Sequence, residues 1–327
     1  MTSYVGVDVA KHKIDCAWLR DPDNNKIKTK ALPNHKAGFE QLIQWLSAQV
    51  SADLSSIHII MEATGIYHEA LAYTLNSRGL QVSVVNPARV HDFAKSLGSQ
   101  HKTDKKDSVV LARYGLSAKP ALWVPEPDEV RELKALLGRL SALEKDLMRE
   151  HNRLEKAQVS QASKVVLTSI DGMIDQLKQE IERVKQQIDD HIDRHPGLKN
   201  DRELLESVPA IGQTMSRQLL AVLRSRHFSN AGQVAAFVGL VPRIRESGQW
   251  QGRSRLSKSG NGEIRAKLYM AAIVAVRYNP DIRAQYVRLL KAGKRKMQAI
   301  GAAMRKLIQI CYGVLKHQSR YQPQMVV

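Results

Sequence analysis

The stretch SYVGVDVAKHKIDCAWLR (3–20) decides the fold. SYVGVDVA and KIDCAWLR read as two neighbouring strands, and NNKIKTKAL adds a third. HKAGFEQLIQWLSAQV then carries its apolar residues at helical spacing. IHIIMEATG is a short buried strand ending at Glu62 and a glycine turn. HEALAYTLNSRG is a helix stopped by Gly79, and LQVSVVNP a strand that stops at Pro87. Three strands followed by helix, strand, helix, strand and helix predict a mixed sheet with helices on its faces across residues 1–117.

SAKPALWVPEPDE (117–129) holds three prolines, so 118–129 is expected to be a linker. Beyond it Leu133, Leu136, Leu140, Leu143 and Leu147 step by three and four, as do Ile170, Ile174, Leu177, Ile181, Val184 and Ile188. Charged residues fill the intervening positions, which predicts an antiparallel helical hairpin or an oligomerising coiled coil over 130–195. Residues 196–327 begin and end helical around the Gly-, Ser- and Arg-rich stretch VPRIRESGQWQGRSRLSKSGNGE.

The composition is globular, with 43% hydrophobic and 25% charged residues in 327. Fifty Lys and Arg against 32 Asp and Glu give a net charge of +18, the signature of a protein that meets a polyanion. Between Arg243 and Lys306 sixteen Lys or Arg face only Glu246, Glu263 and Asp281, so phosphate contact is expected of the C-terminal region. Aromatic residues are 5%, which disfavours base stacking as the main binding mode. Cys16 and Cys311 make no metal spacing and no disulfide framework. The N-terminus lacks a signal-peptide pattern and the longest apolar run, LYMAAIVAV, is too short to span a bilayer, so a cytoplasmic protein that enters no membrane is expected.

Four acids stand out. Asp8 lies in the first strand, Glu62 ends a later one, and Asp104 and Asp107 of HKTDKKDS share a face if TDKKDSVVLARY is a helix. Thr103 or Asp104 is its candidate N-cap. If the strands of Asp8 and Glu62 are neighbours, all four carboxylates meet at the helix start, where their repulsion calls for cations; hard oxygen donors suit Mg²⁺ or Mn²⁺. Taken singly, each acid is an ordinary cap or a solvated helix end.

YVGVDVAKHKID, IIMEATGIYHEALA, VSVVNPARVHDFAKSLGSQHKTDKKDSVVLARYG and FVGLVPRIRESGQWQGRSRLSKSGNGEIRAKLYMAA together resemble the insertion-sequence 110 family of transposases, DEDD-type recombinases that include the pilin-gene invertases. The resemblance implies an RNase H-like, RuvC-type N-terminal domain whose metal-binding acids match Asp8, Glu62, Asp104 and Asp107. It implies a coiled-coil middle region and a C-terminal transposase domain whose nucleophilic serine falls in RIRESG, at Ser247. It further implies a structured bridge RNA that pairs with donor and target duplex DNA, and a tetramer assembled from dimers.

From residue chemistry alone Ser254, Ser257 and Ser259 are equal candidates, and Ser247 has no adjacent base. Arg243, Arg245, Arg253, Arg255 and Lys258 are candidate phosphate ligands beside it, as are Lys102, Lys105 and Lys106 beside the acids. VPAIGQTMSRQLLAVL (208–223) resembles a helix-hairpin-helix turn with Ala210 where glycine is usual. His191 and His195 have metal-ligand spacing without an evident third ligand. The competing functions are a metal-dependent junction nuclease with water as nucleophile and a non-enzymatic nucleic-acid-binding scaffold. A sugar kinase of the actin-like fold, suggested by GVDVA, leaves the basic C-terminal third unexplained.

Overall fold

A computed structural model describes residues 2–24, 26–63, 65–96, 104–243, 246–247, 250–251, 255–257 and 260–324, with backbone alone at 104–106, 246–247, 250–251 and 255. The chain divides into two compact units, Met1–Pro125 and Glu126–Val327.

The first unit is an α/β layer structure. Strands β1 (Ser3–Val9), β2 (Lys13–Asp21), β3 (Lys26–Pro33), β4 (Ile57–Glu62) and β5 (Gln81–Val85) form one sheet in the order β3-β2-β1-β4-β5. β1 pairs antiparallel with β2 and parallel with β4, so the sheet is mixed, as the sequence predicts. Alternation along β1 sends Val5, Val7 and Val9 to one face, packed with Ile57, Ile59 and Met61 of β4 and with helices α1 (Lys36–Gln49) and α2 (Glu69–Ser77). The other face is covered by α3 (Pro87–Ser96) and α4 (Asp104–Ala118), whose Val90, Leu111 and Tyr114 pack with Ile60 and Val85.

Two glycines let α4 lie close on the sheet. A Cβ on Gly6 would overlap the Ser108 carbonyl oxygen and the Ala112 nitrogen, and one on Gly115 would overlap Ile60. Residues 119–127 follow α4 as irregular chain. The Trp123 amide donates to the Val82 carbonyl at 2.7 Å, and the Ser83 hydroxyl donates to the carbonyl of Ala121 at 2.8 Å, so this segment lies against β5.

The second unit is largely helical. Helices α5 (Asp128–Val159) and α6 (Lys164–Arg194) form a hairpin whose buried seam joins Leu133, Leu137, Leu140 and Leu143 to Ile181, Val184 and Ile188. Each such side chain contributes about 1.5–3 kcal/mol on burial. On the exposed sides the charges pair three residues apart, as in Arg149–Asp146 (2.8 Å), Arg183–Glu180 (2.6 Å) and Lys185–Glu182 (2.7 Å). Then come α7 (Pro196–Glu206), α8 (Gln213–Leu223), α9 (Ala231–Phe237), the two-residue strands β6 (Pro242–Arg243), β7 (Glu246–Ser247), β8 (Trp250–Gln251) and β9 (Arg255–Leu256), and α10 (Gly262–Tyr278), α11 (Pro280–Lys291) and α12 (Lys296–His317). α3, α9, α11 and the short strands were not marked by sequence periodicity. α3 buries only Val90 and α11 only Asp281 and Ile282, too few for a visible stripe.

The turn between α7 and α8 holds Ala210 at φ +81°, the left-handed region where glycine is usual. An alanine therefore adopts the backbone that this turn demands.

Candidate active site

Strand register places the first two acids. β1 and β4 are parallel neighbours with Val7 opposite Met61, so Asp8 and Glu62 occupy the next position on each strand. Gly6 and Ile60, two residues earlier, both face α4. By the two-residue period of a strand, Asp8 and Glu62 point to that same face, side by side at the carboxyl edge of the sheet.

The path of α4 places the other two. Its Gly115 lies over Tyr4 and Ile60, whereas Ser108, Leu111 and Ala112 lie over Gly6. The helix thus runs antiparallel to β1, and its first turn reaches the edge where β1 passes Asp8 and β4 ends at Glu62. Asp104 is the first residue of α4 and Asp107 is one turn on, half-buried. Thr103, the other candidate cap, lies outside the described residues. Among the described residues no three His, Cys, Asp or Glu side chains stand close enough to hold one metal ion. The side chain of Asp104 is not among those described. The donor set is nonetheless carboxylate only, which fits a hard divalent cation and not a soft one.

Sequence reading missed Asp15. It lies directly across from Asp8 in the β1–β2 ladder, hence on the same face, and is 5% exposed. Two acids so placed repel unless a cation intervenes. Lys13 does so for Asp15, with its ammonium 2.8 Å from the Asp15 carboxylate. The signal was present in KHKID: counting back through a short turn from Asp8 puts Asp15 in the opposite register.

The serine segment belongs to the second unit. β6 pairs antiparallel with β9, and β7 with β8, with Ser247 opposite Trp250 in the backbone register. Arg243 and Arg255 are partners in the backbone register of the β6–β9 pair. Arg243 is exposed. Arg245, Arg253, Ser254, Lys258 and Ser259 lie outside the described residues, as does Lys102; Lys105 and Lys106 are in the first turn of α4 by backbone.

The base of this segment is firmly set. The Ser257 amide donates to the Val241 carbonyl at 2.8 Å, and the Arg265 guanidinium donates to the carbonyl of Gly260 at 3.0 Å. The Asn261 side chain caps α10 by accepting from the Glu263 amide at 2.8 Å. Glu263 accepts from the Ser141 hydroxyl of α5 at 2.7 Å. Burial works to raise its carboxyl, but bonds from Ser141, Lys267 and Lys145 outweigh it and hold the group below its ordinary value.

Other candidate nucleophiles and ligands fall away. Cys16 and Cys311 are buried, and desolvation pushes both thiols up, Cys311 to about 12, so neither supplies thiolate near neutrality. The His191 and His195 ring centroids are 4.5 Å apart with the rings tilted by 47°, but the His191 ring nitrogen is 2.8 Å from the Glu129 carbonyl and that of His195 is 2.7 Å from the His191 carbonyl. Both rings are thus tied to backbone. Among the described residues no helix is long and apolar enough to cross a membrane.

Residues 5–162 match a transposase family of the DEDD IS110 type, and residues 202–287 match the transposase IS116/IS110/IS902 family. Over 318 residues the chain is 35% identical to the pilin gene-inverting protein of Moraxella bovis, covering 96% of each chain, and the protein of the same name from Moraxella lacunata matches equally. The transposase for insertion sequence element IS1111A of Coxiella burnetii is 23% identical over 97% of this chain and 91% of its own.

Proposed function

We propose a mechanism for this chain, which belongs to the IS110 family of transposases, enzymes that act on DNA: it cuts and rejoins donor and target strands through a covalent seryl-phosphate. The observation that carries the reading is the register that sets Asp8 beside Glu62 under the first turn of α4. The strand order supports an RNase H-like, RuvC-type catalytic domain over 1–117, followed by the linker 118–129, a coiled-coil hairpin over 130–195 and a transposase domain over 196–327.

In this mechanism Asp8, Glu62, Asp104 and Asp107 hold divalent cations, Mg²⁺ or Mn²⁺. When bound, such ions neutralise charge at the scissile phosphate and make an attacking hydroxyl more acidic. The Ser247 Oγ attacks phosphorus; one new P–O bond forms as the bond to a deoxyribose oxygen breaks, and that oxygen leaves as a hydroxyl after taking a proton. The phosphodiester is conserved on serine, so rejoining needs no external energy: a hydroxyl of the partner strand attacks the same phosphorus and releases Ser247. Arg243, Arg245, Arg253, Arg255 and Lys258 hold the phosphate and the charge that develops on it, while Lys102, Lys105 and Lys106 hold neighbouring phosphates. The α7–α8 turn offers the amides of a helix start to the DNA backbone. A bridge RNA selects the two DNAs by pairing, and a tetramer built from dimers brings them together. The cytoplasm, with its chromosomal DNA, is the place of action.

The test is Asp8→Asn. Cleavage of a duplex substrate falls by about 10³-fold or more, roughly 4 kcal/mol of transition-state stabilisation, while duplex binding stays within about threefold. Cleavage at parental rate in that variant contradicts the acidic site.

A second reading keeps the acids and replaces Ser247 with water. It is favoured by one fact, that Ser247 belongs to the second unit and the acids to the first.

A further inference from the structure

Six exposed cations lie on α11 and the turn into α12. The exposed face of α11 consists of Arg283, Ala284, Val287, Arg288 and Lys291, spaced i, i+1, i+4, i+5 and i+8 along one side. Lys294, Arg295 and Lys296 continue it, all exposed. None of these cations has an acidic partner among the described residues. The one acid of the segment, Asp281, is turned inward at 8% exposed, where it accepts from the Tyr321 hydroxyl at 2.7 Å and the Gln324 amide at 3.1 Å. The C-terminal tail thereby takes up the carboxylate of Asp281.

We propose that α11 is a DNA-docking helix that seats against the major groove of B-form duplex DNA, with Arg283, Arg288 and Lys291 on the flanking phosphates. The proposal rests on the family's action on DNA and not on the acids or Ser247. An α-helix with its side chains is about 10–12 Å across, which fits a major groove about 12 Å wide, and the eight steps from Arg283 to Lys291 spread the cations over about 12 Å of helix. Between the cations stand Ala284 and the exposed Val287, a small and a branched apolar side chain suited to thymine methyl groups. The face has no aromatic ring, so it offers no platform for unstacked bases. The deep, narrow major groove of A-form RNA excludes such a helix.

The experiment measures binding of the full-length protein to a fluorescent DNA duplex in EDTA, where no strand is cut, across a salt series. In Arg283→Gln/Arg288→Gln/Lys291→Gln, affinity falls about tenfold or more and the slope of log K against log salt loses about two to three, close to 0.9 for each phosphate contact removed. Arg149→Gln/Arg183→Gln/Lys185→Gln removes equal charge from the hairpin and leaves the slope unchanged, and an RNA duplex of the same sequence binds the α11 variant as it binds the parent. An unchanged DNA slope, an equal loss in the hairpin variant, or an equal loss for RNA overturns the proposal. Far-ultraviolet circular dichroism and Tm check that each variant folds; if the Gln triple does not, Arg288→Gln alone carries the same reading, with a slope loss of about one supporting it and none overturning it.

Discussion

The two units handle charge in opposite ways. The first brings acids to one edge of its sheet: Asp8, Glu62 and Asp15 by strand register, with Asp104 and Asp107 in the helix turn above. The second turns acids inward and cations outward. Asp201, fully buried, accepts from the Arg224 guanidinium and from Gln318, and Asp281 is tied down by the C-terminal tail. Concentrated carboxylates suit cations at a reacting phosphate, whereas dispersed unpaired cations suit a long polyanion. The hairpin within the second unit lies between these extremes, since its charges are paired along the helix and largely cancel.

This contrast breaks most severely at Gly6, because the acidic edge depends on how closely α4 lies on β1. Gly6→Ala forces the new methyl into the Ser108 carbonyl, and α4 must shift. Overpacking of this kind costs about 2–3 kcal/mol, and urea unfolding of the first unit reads it. Cleavage falls together with stability, since the first turn of α4 moves from Asp8 and Glu62. A variant as stable and active as the parent refutes the close approach. Next in size is Ala210→Gly in the basic unit. Removing the Cβ at φ +81° relieves left-handed strain, and about 1 kcal/mol of stability is gained after the added freedom of the unfolded chain is counted. A loss of stability on thermal unfolding contradicts that backbone. Smallest is Lys185→Ala in the hairpin, whose exposed pair with Glu182 contributes no more than about 0.5 kcal/mol. A Tm lowered by more than a few degrees shows that the hairpin charges do more than cancel.

Much of the first unit was legible in the sequence, because Val5, Val7 and Val9 alternate and the strands are short and well bounded. Their neighbourhood was not, since nothing local to IHIIME says that it pairs with SYVGVD; that follows from the parallel crossover. Asp15 was overlooked for the same reason, although a hairpin as short as Ala10–Lys13 fixes its register with Asp8. In the second unit the long stripes of α5 and α6 were plain, whereas α11 buries too little to show a period and is visible only once its neighbours α10 and α12 are folded. The glycine-like turn at Ala210 is a case where tertiary context overrides residue preference. Ser247 is the least legible residue of all. Its segment offers several hydroxyls of equal chemistry, and only the family motif singles one out.

The most direct test of the account is therefore made at that serine. The purified protein is incubated with radiolabelled duplex and Mg²⁺ and then resolved on a denaturing gel, with peptide mass spectrometry of any adduct. Labelled protein bearing a phosphodiester on Ser247 is expected, absent in Ser247→Ala and in Asp8→Asn. Strand cleavage by Ser247→Ala at the parental rate with no adduct in either protein contradicts it, and leaves water as the nucleophile at the same acids.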